Sequence, residues 1–363
     1  MQRACELAAR GRGNTAPNPA VGAVVVREGR VVGEGFHHRR GEAHAEIEAL
    51  AACAGEAAGA TLYVTLEPCN HQGLTPPCTH AIVDAKIARV VVGTLDPNPK
   101  TAAGGVRYLR EHGISVDVVD APCARELIED FAAAVAREYP YVTLKLAASL
   151  DGYVTSQRGE RQQLTGERAM EFVRELRAVH DAVMVGAGTV RADDPLLTVR
   201  PPRTRLRPYT RVVACEEAPI SARSRVLRRS DALREAGYEP TIVLAPAGSR
   251  DAFATLEGVA DVIFVGDASA KVLDLRLALG ALKRRGISSL LCEGGPTIAT
   301  RLLQRRLVDR LHWIVAPRLL AGAGAVPALT CNHDEALVRP FAFDTVRALG
   351  DDFLLSANLR ETT

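Results

Sequence analysis

Apolar positions along the first 120 residues change period several times, and each change marks an element. Residues 1–13 read as a polar helix that ends near Gly13, followed by the turn-rich Thr15-Ala16-Pro17-Asn18-Pro19. Two apolar runs, Val21 to Val26 and Val31-Val32-Gly33, meet through Glu28-Gly29, the mark of a β-hairpin. From His44 to Ala54 the apolar residues Ile47, Leu50 and Ala51 recur at helical spacing. Leu62 to Leu66 then reads as a strand, 81–85 as a helix and 88–93 as a strand. Helices over about 102–112 and 122–138, with a strand over 115–119 between them, complete this part. Strands and helices that alternate in this way predict a three-layer α/β/α sandwich.

Pro140 cannot continue the preceding helix and biases Tyr139 toward extended geometry, so a boundary is expected there. A chain of 363 residues is long for one core, and two domains, 1–138 and 139–363, are expected. In the second, strands are expected over about 142–149, 181–186, 211–214, 241–245, 262–265, 288–292 and 310–316. Helices are expected over about 166–179, 271–284 and 296–305. The proline- and arginine-rich stretch from Pro201 to Pro208 reads as a solvated basic loop. No apolar run approaches the roughly 20 residues of a membrane helix, and the first residues carry no apolar leader. A cytoplasmic protein is expected, with no membrane partner.

Charge narrows the choice of substrate. The formal net charge is +2, but residues 1–140 hold 14 Lys and Arg against 17 Asp and Glu, and the remainder holds 31 against 26. The first part therefore lacks the basic surplus that grips polynucleotide, and a small substrate is expected rather than nucleic acid. Aromatic residues, at 4%, are also scarce for a surface that stacks on bases. Eight cysteines are too few for a disulfide scaffold, and in a reducing compartment most should be thiols.

Four of the polar residues form a pattern with specific chemistry. Zinc takes imidazole and thiolate, and a catalytic site keeps three protein ligands and leaves a position for water. His44-Ala45-Glu46 and the later Pro68-Cys69 and Cys78 match the zinc-deaminase pattern His-x-Glu followed by Pro-Cys, with the glutamate outside the metal shell as proton shuttle. The spacing differs: eight residues, among them Gly73, Pro76 and Pro77, separate the two cysteines instead of two. His44 and Cys78 each open a predicted helix, where the helix N-terminus favours thiolate. The metal ligands expected are therefore His44, Cys69 and Cys78, with Glu46 as the catalytic acid–base. A structural zinc that recruits His71 or His80 as fourth ligand is the alternative, and it gives Glu46 no role.

Thr15-Ala16-Pro17-Asn18-Pro19, His44-Ala45-Glu46, Thr65-Leu66-Glu67-Pro68-Cys69-Asn70-His71-Gln72-Gly73-Leu74-Thr75-Pro76-Pro77-Cys78 and Asp96-Pro97-Asn98-Pro99 together resemble the pyrimidine deaminase of riboflavin biosynthesis. The resemblance continues beyond Pro140. Leu144 to Gly152, Val185-Gly186-Ala187-Gly188-Thr189 to Arg200, and Glu293-Gly294-Gly295-Pro296 resemble the reductase fused to that deaminase. It implies a cytidine-deaminase-like sandwich followed by a dihydrofolate-reductase-like α/β domain. It also implies Zn²⁺ and NADPH as cofactors and a phosphoribosylated pyrimidine as substrate.

By resemblance, Ala148, Thr189, Asp193, Gly295, Pro296, Thr297, Ile298, Ala299, Thr300 and Arg301 hold NADPH. Asn18, Arg177, Leu197, Arg200 and Glu293 meet the substrate. Gln163, Arg174 and Cys215 depart from the family's usual residues. Read without the family, Ser288 to Cys292 is a strand that runs through a Gly-Gly turn into a helix, whose free N–H groups suit a pyrophosphate. A ligand-free strand-to-helix turn fits the same residues.

The implied reactions are hydrolytic deamination of the ring, then reduction of the ribosyl chain to ribityl. Two other readings stay open, a deaminase whose second domain is not catalytic and a nucleic-acid base deaminase. The sequence also leaves a homo-oligomer open.

Overall fold

The hairpin expected around Glu28-Gly29 forms, as β1 (Gly22–Arg27) and β2 (Arg30–Phe36) pair antiparallel and both turn residues take positive φ. The computed structural model describes all residues except 100, 161, 200–206, 217, 230, 331–336, 338–340 and 360–363. They divide into two units, Met1–Arg137 and Glu138–Thr363.

In the first unit, α1 (Gln2–Gly11) precedes the hairpin. After it come α2 (Ala45–Ala52), β3 (Thr61–Leu66), α3 (Cys78–Asp84), β4 (Arg89–Thr94), α4 (Gly104–Glu111), β5 (Ser115–Val118), α5 (Pro122–Leu127) and α6 (Glu129–Ala136). The five strands form one sheet in the order β2-β1-β3-β4-β5, antiparallel through β3 and parallel beyond it. Valine-rich strands suit a sheet covered on both faces. Here α1 packs on β1 and β2 and touches α5, while α2 packs on the same strands and touches α3. Val25, Leu62, Val64, Val90 and Val92 are wholly buried between the layers.

One expectation is corrected in this unit. The helix foreseen over 122–138 breaks at Ile128, which leaves helical geometry at φ −117° and is buried with its neighbour Leu127. Ile128 packs into the core of this unit with Ala124 and Leu127, where tertiary contacts override local helix propensity. Most of the described cysteines are thiols, but Cys5 and Cys123 form a disulfide between α1 and α5, which pack side by side with the two Cα atoms 6.2 Å apart, within the reach of a bridge. Cys53, Cys69, Cys78, Cys215 and Cys292 are free.

The second unit holds β6 (Tyr141–Ser149), β7 (Tyr153–Thr155), α7 (Glu167–Val179), β8 (Ala182–Gly186), α8 (Ala187–Asp193), β9 (Thr210–Ala214), α9 (Asp231–Glu235), β10 (Ile242–Pro246) and β11 (Asp261–Val265). It continues with α10 (Leu275–Arg284), β12 (Ser289–Gly294), α11 (Pro296–Gln304), β13 (Arg310–Ala316), β14 (Val326–Pro327), β15 (Thr345–Leu349) and β16 (Asp352–Asn358). A nine-stranded sheet runs in the order β11-β10-β9-β8-β12-β6-β13-β16-β15. It is parallel from β11 to β13, and the hairpin of β15 and β16 adds an antiparallel edge. One buried cluster, with Leu144, Leu279, Leu290 and Leu302, fills the face beneath α10 and α11. A second, with Val183, Val213, Val243 and Phe253, fills the other.

The helix expected over 271–284 begins four residues later, because Asp274 caps it by accepting the backbone N–H of Leu277 at 3.0 Å. Of the basic loop expected from Pro201 to Pro208, residues 201–206 lie outside the described residues. No described helix is long and apolar enough to cross a membrane.

Candidate functional site

His44 is the N-cap of α2, and Glu46 lies in that helix's first turn. Cys78 is the first residue of α3, and Cys69 stands just beyond the end of β3. The strand end is fixed by Glu67, whose two carboxylate oxygens accept the backbone N–H groups of Asp96, Ala103, Gly105 and Val106 at 2.9–3.2 Å.

His44 Nδ1 is 3.2 Å from Cys78 Sγ and 3.6 Å from Cys69 Sγ, and the Cys78 backbone N–H donates to Cys69 Sγ at 3.4 Å. The three side-chain donors lie within 4.8 Å of one another. The remaining ring nitrogen of His44, Nε2, is 3.4 Å from Thr75 Oγ1, which orients the ring from outside the cluster. Glu46, 3% exposed, sits beside the three donors and is not one of them.

The electrostatics follow from this packing. Burial pushes the Glu46 carboxyl up to about 7, and the Cys69 sulfur adds to the effect. Cys78 donates to Cys69 and pulls it down to about 4, with His44 assisting against burial, while the same contact pushes Cys78 up. One imidazole and two sulfurs are the donor set of an open zinc site, and neither His71 nor His80 joins the cluster among the described residues. The residues present thus fit a zinc ion held by His44, Cys69 and Cys78.

A cavity of about 350 Å³ opens on His44, Glu46 and Cys69. Asn18 lines it, with Nδ2 3.2 Å from His37 Nε2, and the other nitrogen of that ring meets Ala43 O at 3.0 Å. His37, Thr75 and Glu67 are supporting residues that sequence reasoning missed. They act through contacts made across the fold; Thr75 and Glu67 lie inside the motifs, and His37 lies outside them.

A second cavity, of about 560 Å³, lies in the second unit. Glu293, at the end of β12, accepts two bonds from Arg177 of α7, one of them from Nη2 at 2.8 Å, and Arg177 Nη1 donates to Thr198 O at 3.1 Å. Lys145 of β6 faces the same cavity. Burial favours neutral Glu293, but Arg177 and Lys145 outweigh it and hold the carboxyl below its ordinary value. Burial pushes Lys145 down, against the pull of Glu293. Sequence reasoning missed Lys145, although a single cation in the apolar run Leu144-Lys145-Leu146 was a usable signal.

Thr189, Asp193, Gly295, Pro296, Thr297 and Ile298 line this cavity as well. Gly295 has φ +121°, and a Cβ there would meet Thr189 Oγ1 at 2.8 Å, so only glycine suits the turn. The N-cap of α11, which opens here, is Gly295 and supplies no side-chain cap to its N–H groups. These residues fit a pyrophosphate-bearing cofactor.

Several expected contacts are not brought to the cavity. Ala148 and Ala299 are wholly buried core residues, and Leu197 packs at 3% exposure with Leu176 and Val183. Thr300 accepts the backbone N–H of Thr330 and donates to Pro296 O, and Arg301 pairs with Glu216 and donates to Leu273 O. The physical reason on α11 is helical: only the first turn faces the cavity, and the next turns back onto the sheet. Arg200 lies outside the described residues. Of the departures from the family pattern, Gln163 and Arg174 line the cavity, whereas Cys215 is buried in the core.

Comparison with known proteins adds an independent line. The family model for the cytidine and deoxycytidylate deaminase zinc-binding region matches residues 1–94, and that for the RibD C-terminal domain matches residues 140–355. The chain is 42% identical to riboflavin biosynthesis protein RibD of Aquifex aeolicus, over 98% of this chain and 96% of that one. It is 39% identical to RibD of Escherichia coli, over 98% and 97%. Among solved structures it resembles Acinetobacter baumannii RibD, with a TM-score of 0.83 and 34% identity over 99% and 97% of the two chains. It likewise resembles a diaminohydroxyphosphoribosylaminopyrimidine deaminase/5-amino-6-(5-phosphoribosylamino)uracil reductase of Thermotoga maritima, with a TM-score of 0.84 and 34% identity over 99% and 97%.

Proposed function

The chain belongs to the RibD family, and from that premise we propose which of its residues carry the two reactions. It is a bifunctional enzyme of riboflavin biosynthesis, a zinc-dependent deaminase joined to an NADPH-dependent reductase, and its substrate is a small pyrimidine. Its fold is a cytidine-deaminase-like sandwich followed by a dihydrofolate-reductase-like domain. We assign deamination to residues 1–138 and reduction to residues 139–363. The observation that carries the deaminase assignment is the meeting of His44 Nδ1 and two sulfurs within 4.8 Å beside a buried glutamate.

In this reading His44, Cys69 and Cys78 hold the metal. Zinc, when bound, supplies a Lewis acid that makes water acidic near neutral pH. Glu46 takes one proton of the attacking water and passes it to the ring nitrogen, then carries the proton of the newly added hydroxyl to the leaving amine, so that ammonia departs and a carbonyl remains. Thr75 keeps the His44 ring in place through Nε2. Asn18 lines the cavity and offers an amide to the pyrimidine.

In the second cavity, NADPH supplies the hydride. Gly295 and the first turn of α11 present N–H groups to the pyrophosphate, and Thr189 and Asp193 line its path. The Glu293–Arg177 pair, with Lys145 beside it, orients the sugar. We infer a phosphoribosylated substrate, no role for nucleic acid and a cytoplasmic location. The acidic balance of residues 1–140 and the use of NADPH support this.

Incubating pure protein with the diaminohydroxyphosphoribosylaminopyrimidine, with and without NADPH, and weighing the products tests the reading. The deaminated product alone is expected without NADPH, and the ribityl product with it. Deaminated product alone under both conditions would leave the second domain non-catalytic.

A further inference from the structure

In the reading above, the deaminase cavity accepts a phosphate dianion, yet most of the charged residues on its wall are acidic: Glu42, Glu46, Glu67 and Asp96 all line it. Among the described residues, Arg40 is the only Lys or Arg on that wall. The loop between the two metal-binding thiols contributes instead the aliphatic Leu74, 76% exposed. We propose that Arg40 recognises the substrate's phosphate and thereby makes the deaminase selective for phosphorylated over dephosphorylated pyrimidine ribosides. The inference rests on the deaminase reading above.

The acids of the wall are already engaged. Glu67 is saturated by four backbone N–H groups, and Asp96 accepts the Thr101 hydroxyl at 2.5 Å and the Asn98 N–H at 2.9 Å. Glu42 is paired with Arg39 at 2.6 Å. That pairing matters for Arg40, because the two neighbours occupy each other. Among the described residues, the Arg40 guanidinium then has no hydrogen-bond or ion-pair partner.

Arg40 is also held in position rather than left on a loose loop. The Glu42 N–H donates to Arg39 O at 3.2 Å, closing a turn in which Gly41 takes φ +87°, a conformation that favours glycine. His37 ties the far side of this turn through Ala43 O and reaches Asn18 with its other nitrogen. One buried imidazole therefore positions both the Arg40 turn and an amide of the cavity. A free guanidinium on a braced turn is suited to bidentate bonds with phosphate oxygens.

Deamination kinetics on the phosphorylated pyrimidine and on its phosphatase-treated counterpart test the proposal, with wild type, Arg40→Ala and Arg40→Lys. In Arg40→Ala the KM for the phosphorylated compound should rise about 10- to 100-fold, the scale of charge-assisted hydrogen bonds, with kcat within about twofold. Values for the dephosphorylated compound should not change. Arg40→Lys should recover part of the loss, as a point charge without the fork. Ribose 5-phosphate should compete with substrate in wild type and much less well in Arg40→Ala, and zinc content should be equal in all three. An unchanged KM, or equal losses on both compounds, would overturn the proposal and leave the deaminase intact. A zinc-loaded wild type that deaminates neither compound would instead overturn the reading beneath it.

Discussion

Removing one sulfur from the metal cluster should be decisive, because each supplies a third of the protein's ligands to an open site. The wild-type protein should hold about one zinc per chain by elemental analysis, and Cys69→Ser or Cys78→Ser should lose it. Glu46→Gln should keep the metal and lose deamination by at least ~100-fold, the scale of a removed general acid–base. Zinc lost from Glu46→Gln would make that residue a ligand. This quartet was legible in the sequence because its chemistry is local: residue types that few structures need together stand at fixed spacings beside helix starts. Leu197 was hard to place for the opposite reason. A leucine carries no chemical signature, and only the packed structure shows that it belongs to the core around Val183 and Val213. Lys145 lay between the two cases, visible as a charge in a buried strand but silent about its partners Glu293 and Arg177.

Elements with a strong period were readable, and those created by tertiary contacts were not. The valine strands of the first unit and the parallel strands from 141 to 316 follow their apolar runs. The break between α5 and α6 does not, because local propensity favours one continuous helix and nothing in the local sequence marks the departure of Ile128 from helical geometry. The hairpin of β15 and β16 had a usable signal in Gly350-Asp351 between two apolar stretches, joined through the Leu349–Asp352 pair. Glu67 shows how one side chain can join elements, since it gathers backbone donors from the Asp96 loop and from the start of α4 to the end of β3. Glu67→Ala leaves four of these N–H groups without their acceptor, and an unmet buried donor costs about 1–3 kcal/mol. Glu67→Ala should therefore destabilise the first unit by about 3 kcal/mol or more, seen as a lowered transition in calorimetry. A transition unchanged from wild type would show that water replaces the carboxylate without loss.

At the scale of the whole molecule, the two chemistries draw on separate sets of residues. Every residue proposed for deamination lies between Asn18 and Cys78, and every group proposed for reduction lies at or beyond Lys145. Each unit also encloses its own buried clusters. Sites without shared partners should respond additively to mutation. Glu293→Gln keeps the shape of the side chain but removes the charge that faces Arg177 and Lys145, leaving two cations in a buried setting with no counter-charge. Breaking a buried pair in this way is strongly unfavourable, so reduction should fall by about tenfold or more. Deamination by the same variant, followed as ammonia release, should remain within about twofold of wild type. Residues 1–138 produced alone should likewise bind zinc and deaminate. Loss of deamination in Glu293→Gln, or an inactive but folded and zinc-loaded fragment 1–138, would show that the two reactions depend on one coupled structure. The additive outcome would mean that the fusion adds the second reaction without contributing a residue to the first.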